Sequence, residues 1–94
     1  MAKTAEDRLV QWRLKTNLVL YRDVKGLKQE ELAEKSGVSI ASIRNIEAGR
    51  QFPMVHNLVS LAKAMDLGVE DLLTPIPHIE AFLPTNHINI SEEG

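Results

Sequence analysis

The chain has 94 residues, 44% of them hydrophobic, which suits one small domain with a limited buried area. Its formal charge of −2 argues against an indiscriminate nucleic-acid binder. The absence of cysteine excludes disulfides and thiolate metal sites and agrees with a reducing cytoplasm, where the chain is expected to act. The charge is unevenly spread: residues 1–73 hold all eleven Lys and Arg against ten acids, whereas residues 74–94 hold Glu80, Glu92 and Glu93 and no cation.

The opening stretch MAKTAEDRLVQWRLK contains Glu6 and Asp7 and no continuous apolar run, so neither a secretion signal nor a membrane span is expected. Thr4 and Asp7 have the spacing of a capping box, with Asp in the Glu position, and predict a first helix from about Ala5 to Lys25. Leu14, Leu18 and Tyr21 share one stripe. Leu9, Val10, Val19, Leu20 and Val24 widen that stripe beyond what one core needs, so either the C-terminal tail or a second copy is expected to cover the surplus. Trp12, the only tryptophan, is expected to pack rather than to stack on a base.

The stretch Gln29 to Gly49, QEELAEKSGVSIASIRNIEAG, predicts two short helices joined by a tight turn. The first runs from Gln29 to about Lys35, with Leu32 and Ala33 inward and Glu30, Glu31 and Glu34 in water. Ala33 is small enough for the next helix to approach closely, and Gly37 can take the positive φ that ends the helix. Ser39 is the expected N-cap of the second helix, and Val38 and Ile43 have the spacing of a hydrophobic staple. At about 100° per residue, Ile43 and Ile46 fall on one side of this helix, and Ile40, Ala41, Arg44, Asn45 and Ala48 on the other. The second set combines a cation, an amide and small or apolar groups. Arg can pair with guanine O6 and N7, Asn with adenine N6 and N7, and methyl groups can touch the thymine methyl.

These residues resemble the lambda-repressor-like (Xre, Cro/C1-type) helix-turn-helix family. The resemblance rests on Arg22, Gly26, Leu27, Gln29, Leu32, Ala33, Gly37, Val38, Ser39, Ile43, Ile46, Glu47, Gly49 and Pro53, and covers about residues 14–73. It implies that Gln29 contacts a phosphate and that Arg22 and Glu47 form an ion pair tying the first helix to the third. Arg22 reaching DNA is the alternative role. Lys28 departs from the family pattern, which has Ser or Thr there. A lysine cannot cap a helix N-terminus, although its cation can meet a phosphate.

After Gly49, Arg50 is placed to touch a nucleic-acid backbone and Phe52 to pack inward. Pro53 sets a fourth helix over Met54 to Met65, with Val55, Leu58, Leu61, Ala62 and Met65 at helical spacing. Asn57 lies on the loop side, where it can donate to a phosphate; Met54 stands where relatives often carry a capping Ser or Thr. A short fifth helix is expected over Val69 to Leu73. The tail beyond it holds three of the four prolines, so short strands over Ile79 to Leu83 and His87 to Ile90 are expected there rather than a long helix. Its apolar content favours an arm packed on the first helix or on a neighbouring subunit over a solvated acidic tail.

The expected fold is therefore all-α: a five-helix, lambda-repressor-like bundle over residues 1–73, with its helix-turn-helix at 29–48, and a C-terminal arm over 74–94 for dimerisation or a protein partner. The expected function is sequence-specific binding of double-stranded DNA by a homodimeric repressor of transcription on an inverted repeat. Ile40, Ala41, Arg44 and Asn45 would read bases, and Lys28, Gln29, Ser39, Arg50 and Asn57 would hold phosphates. No enzyme chemistry, cofactor or metal is expected. His56, His78 and His87 lack a ligand pattern, His78 with Glu80 being a weak pair, and there is neither a Gly-rich phosphate loop nor a nucleophile elbow. Two rival readings are an antitoxin that binds a toxin and autoregulates its operon, and an adaptor of the same fold that binds protein instead of DNA.

Overall fold

The computed structural model describes residues 4–75. They form five helices: α1 (Ala5–Val24), α2 (Gln29–Ser36), α3 (Ile40–Glu47), α4 (Val55–Ala64) and α5 (Val69–Leu73). There is no strand among the described residues, and none of their helices is long and apolar enough to cross a membrane. The strands expected in the tail, together with His78 and His87, lie outside the described residues.

Local chemistry sets most of the helix ends. The Thr4 hydroxyl accepts from the Asp7 N–H at 3.0 Å, and the Asp7 carboxylate accepts from the Thr4 N–H at 3.2 Å, so the capping box opens α1. At α2 the Lys28 side chain gives no cap. Half of the reciprocal arrangement survives without it, because the Glu31 carboxylate accepts the Lys28 N–H at 2.7 Å. Gly37 ends α2 at φ 79°, where a side chain would be strained, and its N–H closes on the Ala33 carbonyl at 2.9 Å. Ser39 caps α3 by accepting from the Ser42 N–H at 3.1 Å. α4 is one residue shorter at each end than its periodicity suggests. Met54 and Met65 are its caps, and the Met54 side chain contributes no cap hydrogen bond.

The core is one cluster drawn from all five helices: Leu14 and Leu18 of α1, Leu32 of α2, Ile43 and Ile46 of α3, Leu58, Leu61 and Ala62 of α4, and Leu72 of α5, joined by Val38 and Met65. Val38 and Ile43, the two ends of the expected staple, are both buried in it. Removal of these side chains from water is the main favourable term, at about 1.5–3 kcal/mol for each large aliphatic group. Tyr21 packs against the cluster; burial, and then the charge of Asp71, push its phenol above the usual range.

Three apolar positions do not pack as the sequence suggests. Val55 has helical spacing with the core residues of α4 but is the first residue of that helix and is 77% exposed. Phe52 does not turn inward. It is 46% exposed and walls an open cleft of about 400 Å³ with Asp7, Val10 and Gln11 of α1. Trp12 is 56% exposed, because it lies on the edge of α1 opposite Leu14 and Tyr21. Leu9, Val10 and Val24 are also exposed, so α1 does carry more apolar surface than this core covers.

Two polar devices fasten the bundle. Asn17 is 3% exposed and sits on the apolar stripe between Leu14 and Tyr21. Its amide nitrogen donates to the carbonyls of Asp71 and Leu72 at 3.2 Å and of Thr74 at 2.7 Å, satisfying the end of α5 from within α1. The second device joins α1, α2 and α3. Arg22 donates through Nε and one terminal nitrogen to both Glu47 oxygens, at 2.7 and 3.0 Å, and through the other to the Leu27 carbonyl at 2.8 Å. Gln29 adds a donor to Glu47 Oε1 at 2.8 Å.

These fastenings make separate predictions for stability. Asn17→Ala leaves three carbonyls at the end of α5 without their donor and should destabilise the domain by about 1–3 kcal/mol, read as an earlier denaturant midpoint. Glu47→Ala leaves a largely enclosed guanidinium without its counter-charge and should cost about 3 kcal/mol. Equal melting of this variant and the unmodified chain would remove the ion pair from the set of fastenings.

Candidate nucleic-acid interface

The candidate interface is the outer face of α3 and the chain segments at its two ends. Ile43 and Ile46 are fully buried, which fixes the rotation of the helix about its own axis. Ala41, Arg44 and Ala48 are therefore exposed, and Ile40 and Asn45 half-buried at the margins of the same face. The predicted stripe is thus the solvent face of α3, held in place by its inward residues and by Glu47 at its last turn.

The side chains on this face already make contacts. Asn45 Oδ1 accepts from Arg50 Nε at 3.1 Å and from a terminal Arg50 nitrogen at 3.0 Å. A longer contact of 3.5 Å runs from Asn45 Nδ2 to Gln51. Arg50 therefore lies beside the amide at the margin of the stripe instead of projecting alone from the loop, and its N–H bonds back to the Asn45 carbonyl at 2.9 Å. The sequence gives little sign of this pairing, since a spacing of five residues across a helix end depends on the turn at Gly49, whose φ is 79°. Arg44 lies 3.9 Å from the Glu30 carboxylate, with both side chains more than half exposed. A pair so long and so wet contributes little and can be given up to a better anion.

The five positions expected to meet phosphates fall into different settings. Lys28 is exposed at the start of α2, and Gln29 follows as the first residue of that helix. One amide hydrogen of Gln29 is engaged by Glu47, so the side chain is held while the N–H groups of the first turn point outward. The Ser39 oxygen accepts its capping bond, which leaves the hydroxyl hydrogen available to an acceptor outside the protein. Arg50 is exposed at the far end of α3. Asn57 stands apart: it is half-buried in the first turn of α4 and takes part in none of the hydrogen bonds that link the other candidates.

Arg22 belongs to the framework beneath this surface. Its side chain is 16% exposed and that of Glu47 is 7% exposed. The hydrogen bond to Glu47 is the leading cause that raises the guanidinium above its already high range, so the group remains a cation. Gln11 was absent from the expected site, yet its amide donates to the Gly49 carbonyl at 3.0 Å and fastens α1 to the end of α3.

Comparison with known proteins matches this architecture. A family model described as Helix-turn-helix matches residues 20–72. The control protein C.SmaI of Serratia marcescens is 38% identical over 61 residues, which are 65% of this chain and 73% of that protein. The cryptic phage CTXphi transcriptional repressor RstR of Vibrio cholerae is 28% identical over 60 residues, 64% of this chain and about half (54%) of the repressor. Among solved structures, the restriction-modification controller protein C.AhdI from Aeromonas hydrophila is similar, with a TM-score of 0.62 and 33% identity over 68% of this chain and 94% of that one. The matched span contains α2, α3 and α4, the Arg22–Glu47 pair and the whole exposed stripe of α3, and the chain belongs to the lambda-repressor-like (Xre/Cro/C1-type) helix-turn-helix family of DNA-binding regulators.

Proposed function

We propose that this chain is a sequence-specific transcriptional regulator that binds double-stranded DNA as a homodimer on an inverted repeat and acts as a repressor. The observation that carries the reading is the outer face of α3, where Ile40, Ala41, Arg44 and Asn45 stand on a helix whose rotation is fixed by buried Ile43 and Ile46. A helix so presented fits the major groove, and its donor and acceptor set matches base edges. The likeness to a phage repressor and to two controller proteins supports the regulatory class.

In this reading the work divides between two sets of side chains. Arg44 pairs with guanine once Glu30 releases it, Asn45 pairs with adenine, and Ile40 and Ala41 touch thymine methyl groups. Lys28, Gln29, Ser39, Arg50 and Asn57 hold the backbone and set the register. Arg50 has a further role: by donating to Asn45 Oδ1 it orients the reading amide while facing the phosphates. Two copies would present their α3 helices to half-sites about 34 Å apart. The net charge of −2 keeps non-specific attraction weak, which suits a regulator that must choose its site. The cytoplasm is the proposed compartment. Residues 74–94 are proposed as the arm for dimerisation or for a protein partner.

Selection of bound duplexes from a random pool tests the reading, followed by titration of the enriched sequence and of a scrambled control at two salt concentrations. An enriched inverted repeat with a clear preference over the scramble supports the regulator. Absence of both enrichment and low-salt binding sinks it in favour of a protein-binding adaptor. Arg44→Ala should lose about 1–3 kcal/mol of discrimination at one base pair, measured against operators mutated one position at a time. A uniform loss on every sequence would move Arg44 to the phosphate set. Arg50→Ala should flatten the dependence of log K on log salt by about 0.9 and also relax preference at the base pair that Asn45 reads. Full preference at that pair would separate the two side chains.

A further inference from the structure

Beyond the helix-turn-helix, one edge of α1 continues the face of α3. Arg8 and Lys15 are seven residues apart and so lie on one line along α1, with Trp12 between them, four residues after the first and three before the second. Together with Gln11, Ala48 and Gly49 they line a shallow concavity of about 210 Å³. Ala48 is the last member of the exposed stripe of α3, and Arg50 is the second residue after it. The reading face therefore does not stop at the end of its helix but passes directly onto α1.

The electrostatics of this edge are one-sided. Residues three or four away from Arg8 and Lys15 along the helix are Thr4, Ala5, Gln11, Trp12, Leu18 and Val19, none of which is acidic. The two ion pairs found among the described residues, Arg22 with Glu47 and Arg44 with Glu30, use neither cation. Asp7, the one acid next in sequence, bonds to the Thr4 cap and lines the adjoining Phe52 cleft, which meets this concavity at Gln11. Lys15 is also positioned rather than loose. A Cβ placed on Gly49 would meet its Cδ at 3.3 Å and its Nζ at 3.9 Å, so the stem lies over the glycine where the backbone leaves α3. The Gln11 bond to the Gly49 carbonyl at 3.0 Å holds α1 and this turn together.

We propose that Arg8, Trp12 and Lys15 form a second phosphate-binding edge, which carries the DNA backbone past the C-terminal end of α3 and extends the contact into the flank of each half-site. The inference rests on the proposed DNA-binding function and adds to it a contact made by α1. Two cations at one helical spacing, without an ion pair among the described residues, suit successive phosphates, and the exposed indole between them can lie against the sugar without needing a particular base. The contact adds affinity that falls with salt and carries no sequence preference.

The test compares the unmodified chain, Arg8→Gln with Lys15→Gln, Arg8→Gln alone and Arg50→Ala on one mixed-sequence duplex of about 30 base pairs over a series of salt concentrations. The double substitution should flatten the slope of log K against log salt by about 1.8, and Arg8→Gln alone by about 0.9, because each phosphate contact contributes about 0.9. The exchange Arg8→Lys with Lys15→Arg should restore the slope, and the emission of Trp12 should change when duplex is added to the unmodified chain. Arg8→Gln leaves the packing over Gly49 untouched, so it reports on charge even where the double variant is less stable. Unchanged slopes in both glutamine variants, beside a flattened slope in Arg50→Ala, would overturn the α1 edge and leave DNA binding through α3 standing. No low-salt binding by the unmodified chain would overturn both.

Discussion

The structure depends on one carboxylate, that of Glu47. It stands at the last residue of α3 and accepts from Arg22 of α1 through two nitrogens and from Gln29 at the first residue of α2. Three helices thus meet on two oxygen atoms. Arg22 completes the junction through the carbonyl of Leu27, in the turn that separates α1 from α2. Side chains in the core can set how closely helices approach, but aliphatic contacts are non-directional and tolerate sliding. A bidentate guanidinium–carboxylate pair is directional, and it fixes the end of α3 relative to the start of α2. The proposed reading surface needs that relation. Bases would be met by α3 and phosphates by the start of α2, so an error in their spacing would place one set correctly only at the expense of the other.

The charge pattern follows from the same geometry. A chain with a net charge of −2 can still offer a cationic surface if its acids are turned elsewhere. Glu47 is enclosed by its partners, and the carboxylates of Glu31, Asp7 and Asp71 bond to backbone N–H groups at the starts of α2, α1 and α5. Acids in those positions satisfy orphan donors and complement the helix dipoles. Glu30 is different, since it lies near Arg44 on the outer surface. It gives the free protein a weak internal partner for a side chain that would otherwise be an unpaired cation on an exposed face.

Much of this fold was legible in the sequence because its determinants are local. The turn between α2 and α3 needs a small residue, a positive φ and a cap, and Ala33, Gly37 and Ser39 supply them within seven positions. The exposed stripe of α3 was equally accessible, since a helix with two isoleucines three residues apart has one obvious inward direction. Phe52, Val55 and Trp12 depart from their pattern for the opposite reason. Whether an apolar side chain at the margin of an element is covered depends on where neighbouring elements stop, and no pattern within the element records that. Asn17 carries a signal in its position: a polar residue among Leu14, Leu18 and Tyr21 on an apolar stripe must find partners, and here they lie at the other end of the domain. The Asn45–Arg50 pair was hidden by the turn that brings its members together.

The bond from Asn17 to the Thr74 carbonyl also bears on how cooperatively the domain folds. It joins positions 57 residues apart, and the two neighbouring bonds span 54 and 55. Contacts of such sequence separation cost loop-closure entropy, so α1 is held to α5 only once the segments between them have come together. Until α5 docks, the amide of Asn17 is bound to water and Leu72 is missing from the core. The last described helix thus works as a latch on the first. A chain without residues from 69 onward loses both Leu72 and the three Asn17 bonds, and should open as a whole rather than fray at one end.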